Sequence, residues 1–401
     1  MLGGKTLAQS LDRRLLIIML MLVTVFIGFG LVIPVMPVIV QETGAAPYHL
    51  GWLLSIYAFF SFILSPMWGA LSERYGRRPI IMLGTLGYAV SFFLFGIATD
   101  HLWLMYVSRI LGGCFSGAAT SVAMAYVADI TSEADRNKGM GLAGMSIGLG
   151  FIIGPAVGGL LSLIDLAFPF FVASALAILM TLFVYKMLGE TITPELRQQR
   201  QQQPRTSRWQ AFTGALKYLY IVSFIGSFGL AGLEATLQYF EMVKIQATPV
   251  QIGIILLISG IVGAFIQGGL VRRIQNGQEV RMIGIGLLVS SIGMALILLS
   301  SNFWTATLYV VIFGAGNTLI RPLVTSLATK KSTVGYGIST GLVTSMDNLG
   351  RMIGPMVATS LYSANIHLPF LFTAVLTFLS LILLVLYAIL DKKPAPSVTK
   401  S

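Results

Sequence analysis

The feature that most restricts this chain is a series of long apolar runs. They fall near residues 15–37, 50–70, 80–98, 103–127, 140–162 and 167–187. A second set falls near 215–239, 250–271, 282–300, 304–327, 336–361 and 368–389. A helix of about 20 apolar residues crosses the hydrocarbon core of a bilayer. In lipid only helices and closed barrels satisfy their own backbone polar groups. These runs are too long and too uniformly apolar for barrel strands. The expectation is an all-α membrane protein with twelve transmembrane helices. Composition agrees: 56% of residues are hydrophobic and 10% charged, against about 25% charged in a soluble domain. The first run continues too far for a signal-peptide core and meets no small-residue cleavage site, so it reads as a span.

The net charge of +11 would suit nucleic acid, but its placement points elsewhere. If both termini are cytoplasmic, 22 of the 26 Lys and Arg fall in the tails, in the loops on that side or at the adjoining helix ends. They include Arg74, Arg77 and Arg78 after span 2, Arg272, Arg273 and Arg281 after span 8, and Lys392, Lys393 and Lys400 in the C-terminal tail. Only Lys244 falls in an outer loop. This is a positive-inside pattern, and nucleic acid is not needed to explain the basic excess. The longest polar stretch, 189–210, is rich in Gln and Arg and holds two prolines, within a segment bounded at 189–213. It reads as a solvated linker between a six-helix half at 1–188 and another at 214–401.

Catalytic and metal chemistry find little support. Cys114 is the sole cysteine, and His49, His101 and His367 lie far apart. Intrachain disulfides and multi-cysteine metal sites are excluded. No phosphate-binding glycine loop, nucleophile–base constellation or cofactor motif is present. Neither a metal nor a cofactor is expected, and the chain does not read as an enzyme.

The two halves match at an offset of 200. Leu149, Gly150, Ile153, Gly154 and Pro155 recur as Leu349, Gly350, Ile353, Gly354 and Pro355; Pro169–Phe170 recurs as Pro369–Phe370. Duplicated six-helix units with parallel repeats are characteristic of transporters. Gly150, Gly154 and Gly158 are four apart and form one smooth helix face that lets backbones approach closely. Pro155 bends that helix. This face is expected at a contact between the halves, where it would move; tight packing without motion is the other reading.

Ionisable groups in hydrocarbon are costly, about 2.5–3.5 kcal/mol each on insertion scales. Arg109, Glu234, Arg321, Asp347 and Arg351 all fall inside spans. Glu234, Gln238 and Glu241 share one face of span 7. Asp347 and Arg351 stand at i and i+4 and can pair directly. That pair either neutralises itself or breaks when Asp347 takes a proton. Arg321 either tunes a neighbouring acid or reaches toward the membrane surface.

At these residues the sequence resembles a known family. "GALSERYGRRPI", residues 69–80, resembles the signature loop of the major facilitator superfamily, with Gly69, Glu73, Gly76 and Arg77 at its marked positions. "SRILGG" around Arg109 resembles the span-4 arginine motif. "GFIIGPAVGG", residues 150–159, resembles the span-5 motif of proton-driven antiporters. "GFGLVIPVMP" in span 1 and "SFGLAGLEATLQY" in span 7 look like multidrug efflux pumps of the NorA and Bmr type. The resemblance implies the major facilitator fold, with two pseudo-symmetric six-helix halves in a bacterial cytoplasmic membrane. It implies a monomer that exchanges protons for amphipathic, often cationic drugs, in contact with membrane lipid. An exporter of one narrow substrate, such as tetracycline, a sugar or a metabolite, is the alternative.

The resemblance further places spans 1, 4, 7 and 10 around a central cavity. Glu234 would then bind a proton or a cationic drug, since burial raises a carboxyl pKa and a nearby cation lowers it; a purely structural Glu234 is the other reading. Arg109, Arg321 and Arg351 become charge partners of the coupling acids Glu234 and Asp347. Glu73 and Arg77 become a gating latch with Asp129, and Gly150, Gly154, Pro155, Gly158, Gly354 and Pro355 become gating positions. Phe26, Phe29, Tyr57, Met124, Phe224, Phe228, Gln238, Tyr239 and Asn317 become a drug-binding lining, although singly each aromatic also suits packing or lipid. Three departures stand out. Glu73 replaces the usual Asp, Thr318 replaces a span-10 Asp of those pumps, and Asp347 is an acid that they lack in span 11.

Overall fold

The structure, a computed structural model, describes residues 4–132, 135–192, 212, 214–275, 277–331 and 336–391; for 4–12, 137, 272 and 336–338 it describes the backbone alone. Most of the linker 189–213 lies outside the described residues, with Arg197, Arg200, Arg205 and Arg208. So do Lys392, Lys393 and Lys400, and the side chains of Lys5 and Arg272.

Twelve long helices are present among the described residues. They are α1 (Gly4–Glu42), α2 (Tyr48–Tyr75), α3 (Arg77–Gly96), α4 (Leu102–Ile130), α5 (Arg136–Leu161), α6 (Phe168–Met187), α7 (Leu216–Ile245), α8 (Pro249–Phe265), α9 (Glu279–Ile297), α10 (Phe303–Lys331), α11 (Tyr336–Ala364) and α12 (Leu368–Asp391). The last turns of α8 loosen into a π-turn at Ile266–Leu270 and a 3-10 turn at Val271–Arg273. Eleven of these helices are long and apolar enough to cross a membrane. The twelfth, α11, carries Asp347, Asn348, Arg351 and several Ser and Thr. Every predicted span therefore has its helix, and the protein is a multi-pass, all-α membrane protein.

The chain forms two compact units, Met1–Pro204 with Glu234–Gly260, and Arg205–Leu233 with Ile261–Ser401. In the first unit one core joins α1, α3, α4 and α6 through Ile18, Met21, Leu22, Ile81, Val122 and Tyr126, all without solvent exposure, with Val184. In the second unit Leu219, Tyr220, Ile283, Leu287, Val324 and Leu342 form the equivalent core across α7, α9, α10 and α11. The repeated Phe170 and Phe370 are both buried in the first turn of their helices, each directly after a proline, Pro169 and Pro369. Outward rows such as Leu83, Leu86, Val90 and Phe93 on α3 stay exposed. Such rows suit lipid, which solvates apolar side chains where water does not.

The glycine face of α5 has a different neighbour from the one expected. Its three glycines lie against α1 of the same half, and the contact of α5 with the half 214–401 is made by another side of the helix. A Cβ on Gly150 would stand 2.7 Å from Phe26 Cβ; on Gly154, 2.8 Å from Gly30 Cα; on Gly158, 2.5 Å from the Leu31 carbonyl. The spacing that lets a helix approach closely does not choose its partner, and α1 offers Gly30 at the crossing. The other side of α5 meets the start of α8: a Cβ on Gly253 would stand 2.4 Å from the Pro155 carbonyl. The second unit repeats the α1–α5 contact between α7 and α11. There a Cβ on Gly354 would stand 2.5 Å from the Phe228 carbonyl.

Candidate functional site

Polar chemistry gathers in three places. The first is the signature loop between α2 and α3. Gly76 separates the helices with φ 104°, a backbone that favours glycine. The reversal brings Arg77 inward, 3% exposed. Its Nε lies 3.0 Å from Asp129 Oδ2 on α4, and its Nη1 donates to Ser72 Oγ. Glu73 Oε1 stands 3.9 Å from Arg77 Nη2 and is largely solvated. Glu73, Arg77 and Asp129 are thus brought together as expected, with Arg77–Asp129 the close pair. A Cβ on Gly69 would meet nothing within 4 Å, so close packing does not explain that glycine.

The second unit holds a related staple with its charges reversed. Glu279 at the start of α9 is 4% exposed. Its Oε1 accepts from Lys330 Nζ at 2.6 Å and its Oε2 from the Gly277 N–H at 2.6 Å. Removing one partner of a pair matters most when the other is left buried and charged. Lys330→Met is therefore expected to lower the melting temperature of purified protein more than Glu279→Gln. Because Lys330 is 46% exposed by side chain, the cost is about 1–2 kcal/mol, below that of a fully buried pair. Equal shifts in a thermal melt would contradict this.

The third gathering lies inside the helices of the second unit. Asp347 on α11 is 4% exposed. Its Oδ1 accepts from Ser223 Oγ at 2.6 Å and Ser227 Oγ at 3.0 Å, both on α7. Arg321 Nε on α10 stands 2.7 Å from Oδ2. That contact is an ion pair without hydrogen-bond alignment, so Oδ2 stays buried with no hydrogen-bond donor among the described residues. The expected partner was Arg351, one turn along; the structure instead brings Arg321 across from the neighbouring helix. Arg321 thus stands beside an acid while 65% of its side chain stays exposed. Sequence spacing exposes partners on one helix only. Ser223 and Ser227 were missed, although their i, i+4 spacing on α7 marks a polar face.

The other predicted residues scatter. Glu234 is half-buried on α7. Gln238 is buried, and its Nε2 donates to the Ala247 carbonyl at 3.2 Å, bracing the turn into α8. Asn317 similarly donates to the Gly226 carbonyl at 3.0 Å, tying α10 to α7. Arg109 is 4% exposed, with its guanidinium carbon 4.4 Å from the Phe95 ring centroid. Its Nε and Nη2 are buried without a hydrogen-bond partner among the described residues. Phe26, Phe29 and Tyr57 come together around Phe151: Phe26–Phe151 ring centroids lie 5.1 Å apart, Phe29–Phe151 5.2 Å and Phe29–Tyr57 5.6 Å. Phe151, on α5, was missed. Met124 packs against the first core, and Tyr239 is buried. The rings of Phe224 and Phe228, one turn apart on α7 in the second unit, lie 6.0 Å apart and tilted by 37°.

Comparison with known proteins agrees with this architecture. The sequence profile of the Major Facilitator Superfamily matches residues 18–339. Multidrug resistance protein 2 of Bacillus subtilis (strain 168) is 32% identical over 373 residues, covering 91% of this chain and 93% of that protein. The quinolone resistance protein NorA of Staphylococcus aureus (strain COL) is 27% identical over 363 residues, covering 90% and 92%. The crystal structure of the human organic anion transporter MFSD10 superposes with a TM-score of 0.68 at 26% identity, covering 93% of this chain and 99% of that one. A bacterial homologue of the human lysosomal transporter Spinster, inward-facing and unoccupied, gives 0.78 at 14% identity over 97% and 99%, a likeness of fold alone.

Proposed function

The chain belongs to the major facilitator superfamily, a family of transporters and not of enzymes, and from that membership we propose a proton-coupled antiporter that exports amphipathic, often cationic drugs by alternating access. The relatives named for multidrug and quinolone resistance support export of drugs. The observation that carries proton coupling is Asp347. Its Oδ1 is occupied by two serine donors, while Oδ2 meets Arg321 in an ion pair and has no hydrogen-bond donor among the described residues. A proton arriving at Oδ2 neutralises the carboxylate and releases Arg321, which loosens α10 from α11. Loss of the proton restores the pair. Glu234 supplies the second carboxylate, where a cationic drug and a proton compete; that competition ties drug efflux to proton influx.

In this reading both termini face the cytoplasm of a bacterium, and the protein works as a monomer in the cytoplasmic membrane. The halves 1–188 and 214–401 alternate about the linker 189–213. The Arg77–Asp129 latch acts on the cytoplasmic side, and Phe26, Phe29, Tyr57 and Phe151 offer an apolar surface to the drug. Adaptable apolar surfaces of this kind tolerate varied ligands.

The test is transport in proteoliposomes under an imposed pH gradient, following a cationic dye. Wild type is expected to move the dye with the gradient, and Glu234→Gln to lose at least about tenfold of the rate. Full-rate transport by that variant would remove Glu234 from the coupling. A wild type that moves no dye under any gradient would favour the exporter of one narrow substrate.

A further inference from the structure

Glu190 lies just beyond α6, and the transport reading gives it no role. Its carboxylate nevertheless collects four backbone N–H groups. Oε1 accepts from Arg77 at 2.8 Å, Thr191 at 2.9 Å and Ile192 at 3.0 Å; Oε2 accepts from Arg78 at 3.1 Å. Arg77 and Arg78 are the first two residues of α3. The opening N–H groups of a helix lack partners within it and usually find one in a capping side chain. Here the N-cap is Gly76, which has no side chain. The third position, Pro79, has no N–H to satisfy. One carboxylate, more than a hundred residues along the chain, therefore caps the exposed start of α3 from outside. Its negative charge also suits the positive end of the helix dipole.

The fit is close. A Cβ on Gly76 would stand 2.4 Å from Glu190 Oε2, so the glycine makes room for the carboxylate as well as the turn. The flanking chain is held too. Tyr126 Oη donates to the Gly189 carbonyl at 2.8 Å, Arg78 Nη2 donates to the Tyr185 carbonyl, and Leu188 and Ile192 are buried. Thr191 Oγ1 donates at 3.3 Å to Asp129 Oδ2, the oxygen that also receives Arg77 Nε at 3.0 Å. The backbone of Arg77 is thus fixed by Glu190 and its side chain by Asp129, while Thr191 links those two acids.

We propose that Glu190 is a positioning residue for transport. It sets the start of α3 so that Arg77 meets Asp129, and it makes the first residues after α6 part of the latch. The inference rests on the gating role proposed for the Arg77–Asp129 pair. A local propensity would not reveal it, because the capping residue is far away in sequence.

Proteoliposome dye transport by Glu190→Ala, Glu190→Gln, Asp129→Ala and the Glu190→Ala/Asp129→Ala double variant tests it. Glu190→Ala is expected to lower the maximal rate about tenfold while the half-saturating dye concentration stays within about twofold. Glu190→Gln keeps one acceptor oxygen and falls between, which retains the comparison if the alanine variant fails to reach the membrane. In the Asp129→Ala background, adding Glu190→Ala is expected to cost less than about twofold more, since residues acting through one partner are not additive. A full multiplicative loss in that background, or wild-type rates for both Glu190 variants, overturns the proposal. Wild-type transport by Asp129→Ala together with impaired Glu190→Ala overturns the gating reading itself, and with it a role for Glu190 through the latch.

Discussion

Asp347→Asn is expected to lower gradient-driven transport by at least about tenfold while the protein still folds. Asparagine matches the carboxylate in shape and still accepts from Ser223 and Ser227, so the α7–α11 contact survives. What disappears is the carboxylate proposed to take a proton at Oδ2 and the charge that meets Arg321 at 2.7 Å. Arg321 is 65% exposed by side chain, so it is not left as a sealed, unpaired cation, the situation that makes most broken buried pairs so damaging. Function should therefore fall much further than stability. The decisive measurement is transport rate against pH for wild type and variant in the same vesicles. A variant whose rate no longer follows pH assigns the coupling to Asp347. A variant with the wild-type profile marks the Asp347–Arg321 pair as structural scaffolding, and Glu234 alone would remain as the coupling acid.

Gly154→Leu should have the other large effect, and on folding first. A Cβ at that position would already stand 2.8 Å from both Gly30 Cα and the Ile27 carbonyl. These are backbone atoms, which cannot swing aside as a side-chain tip can. Overfilling a packed interface typically costs about 1–3 kcal/mol, and with backbone on both sides the upper end applies. The measurement is membrane yield and thermal melting of the purified variant. Gly141 on the same helix supplies the control, because a Cβ there would meet nothing within 4 Å. Gly141→Ala should match or slightly exceed wild type, as alanine suits a helix better than glycine. Comparable melts for Gly154→Leu and wild type would mean that α1 and α5 part readily, and the close approach would carry no energetic weight.

The architecture was legible because lipid imposes a simple rule. Spans of fixed minimum length must be apolar and helical, so even α11, the most polar of the twelve, was read at 336–361 and observed as Tyr336–Ala364. The repeat was legible because glycine and proline recur in one register. Contacts between distant elements were less so. The three glycines of α5 revealed a smooth face but not that α1 fills it. Asp347 suggested Arg351 through helical spacing, whereas its close cation comes from α10 and its hydrogen bonds from α7. Arg77–Asp129 was anticipated through family resemblance; Glu190, on which the same turn rests, had neither spacing nor motif to announce it. Gln238 and Asn317 read as ligand contacts because polar side chains are scarce in spans, and each also donates to a carbonyl of the fold. Scarcity identifies polar residues that need a reason without saying which reason applies.

The polarity of α11 bears on how the protein is made. Asp347 and Arg351 each disfavour partition of an isolated helix into a bilayer by about 2.5–3.5 kcal/mol near its centre. The groups that offset this for Asp347 belong to earlier segments: Ser223 and Ser227 on α7, and Arg321 on α10. During synthesis both α7 and α10 leave the ribosome before α11 does. The bilayer therefore receives α11 as a late guest, admitted by helices already in place, and excising α10 alone would leave this segment without the cation that meets Asp347.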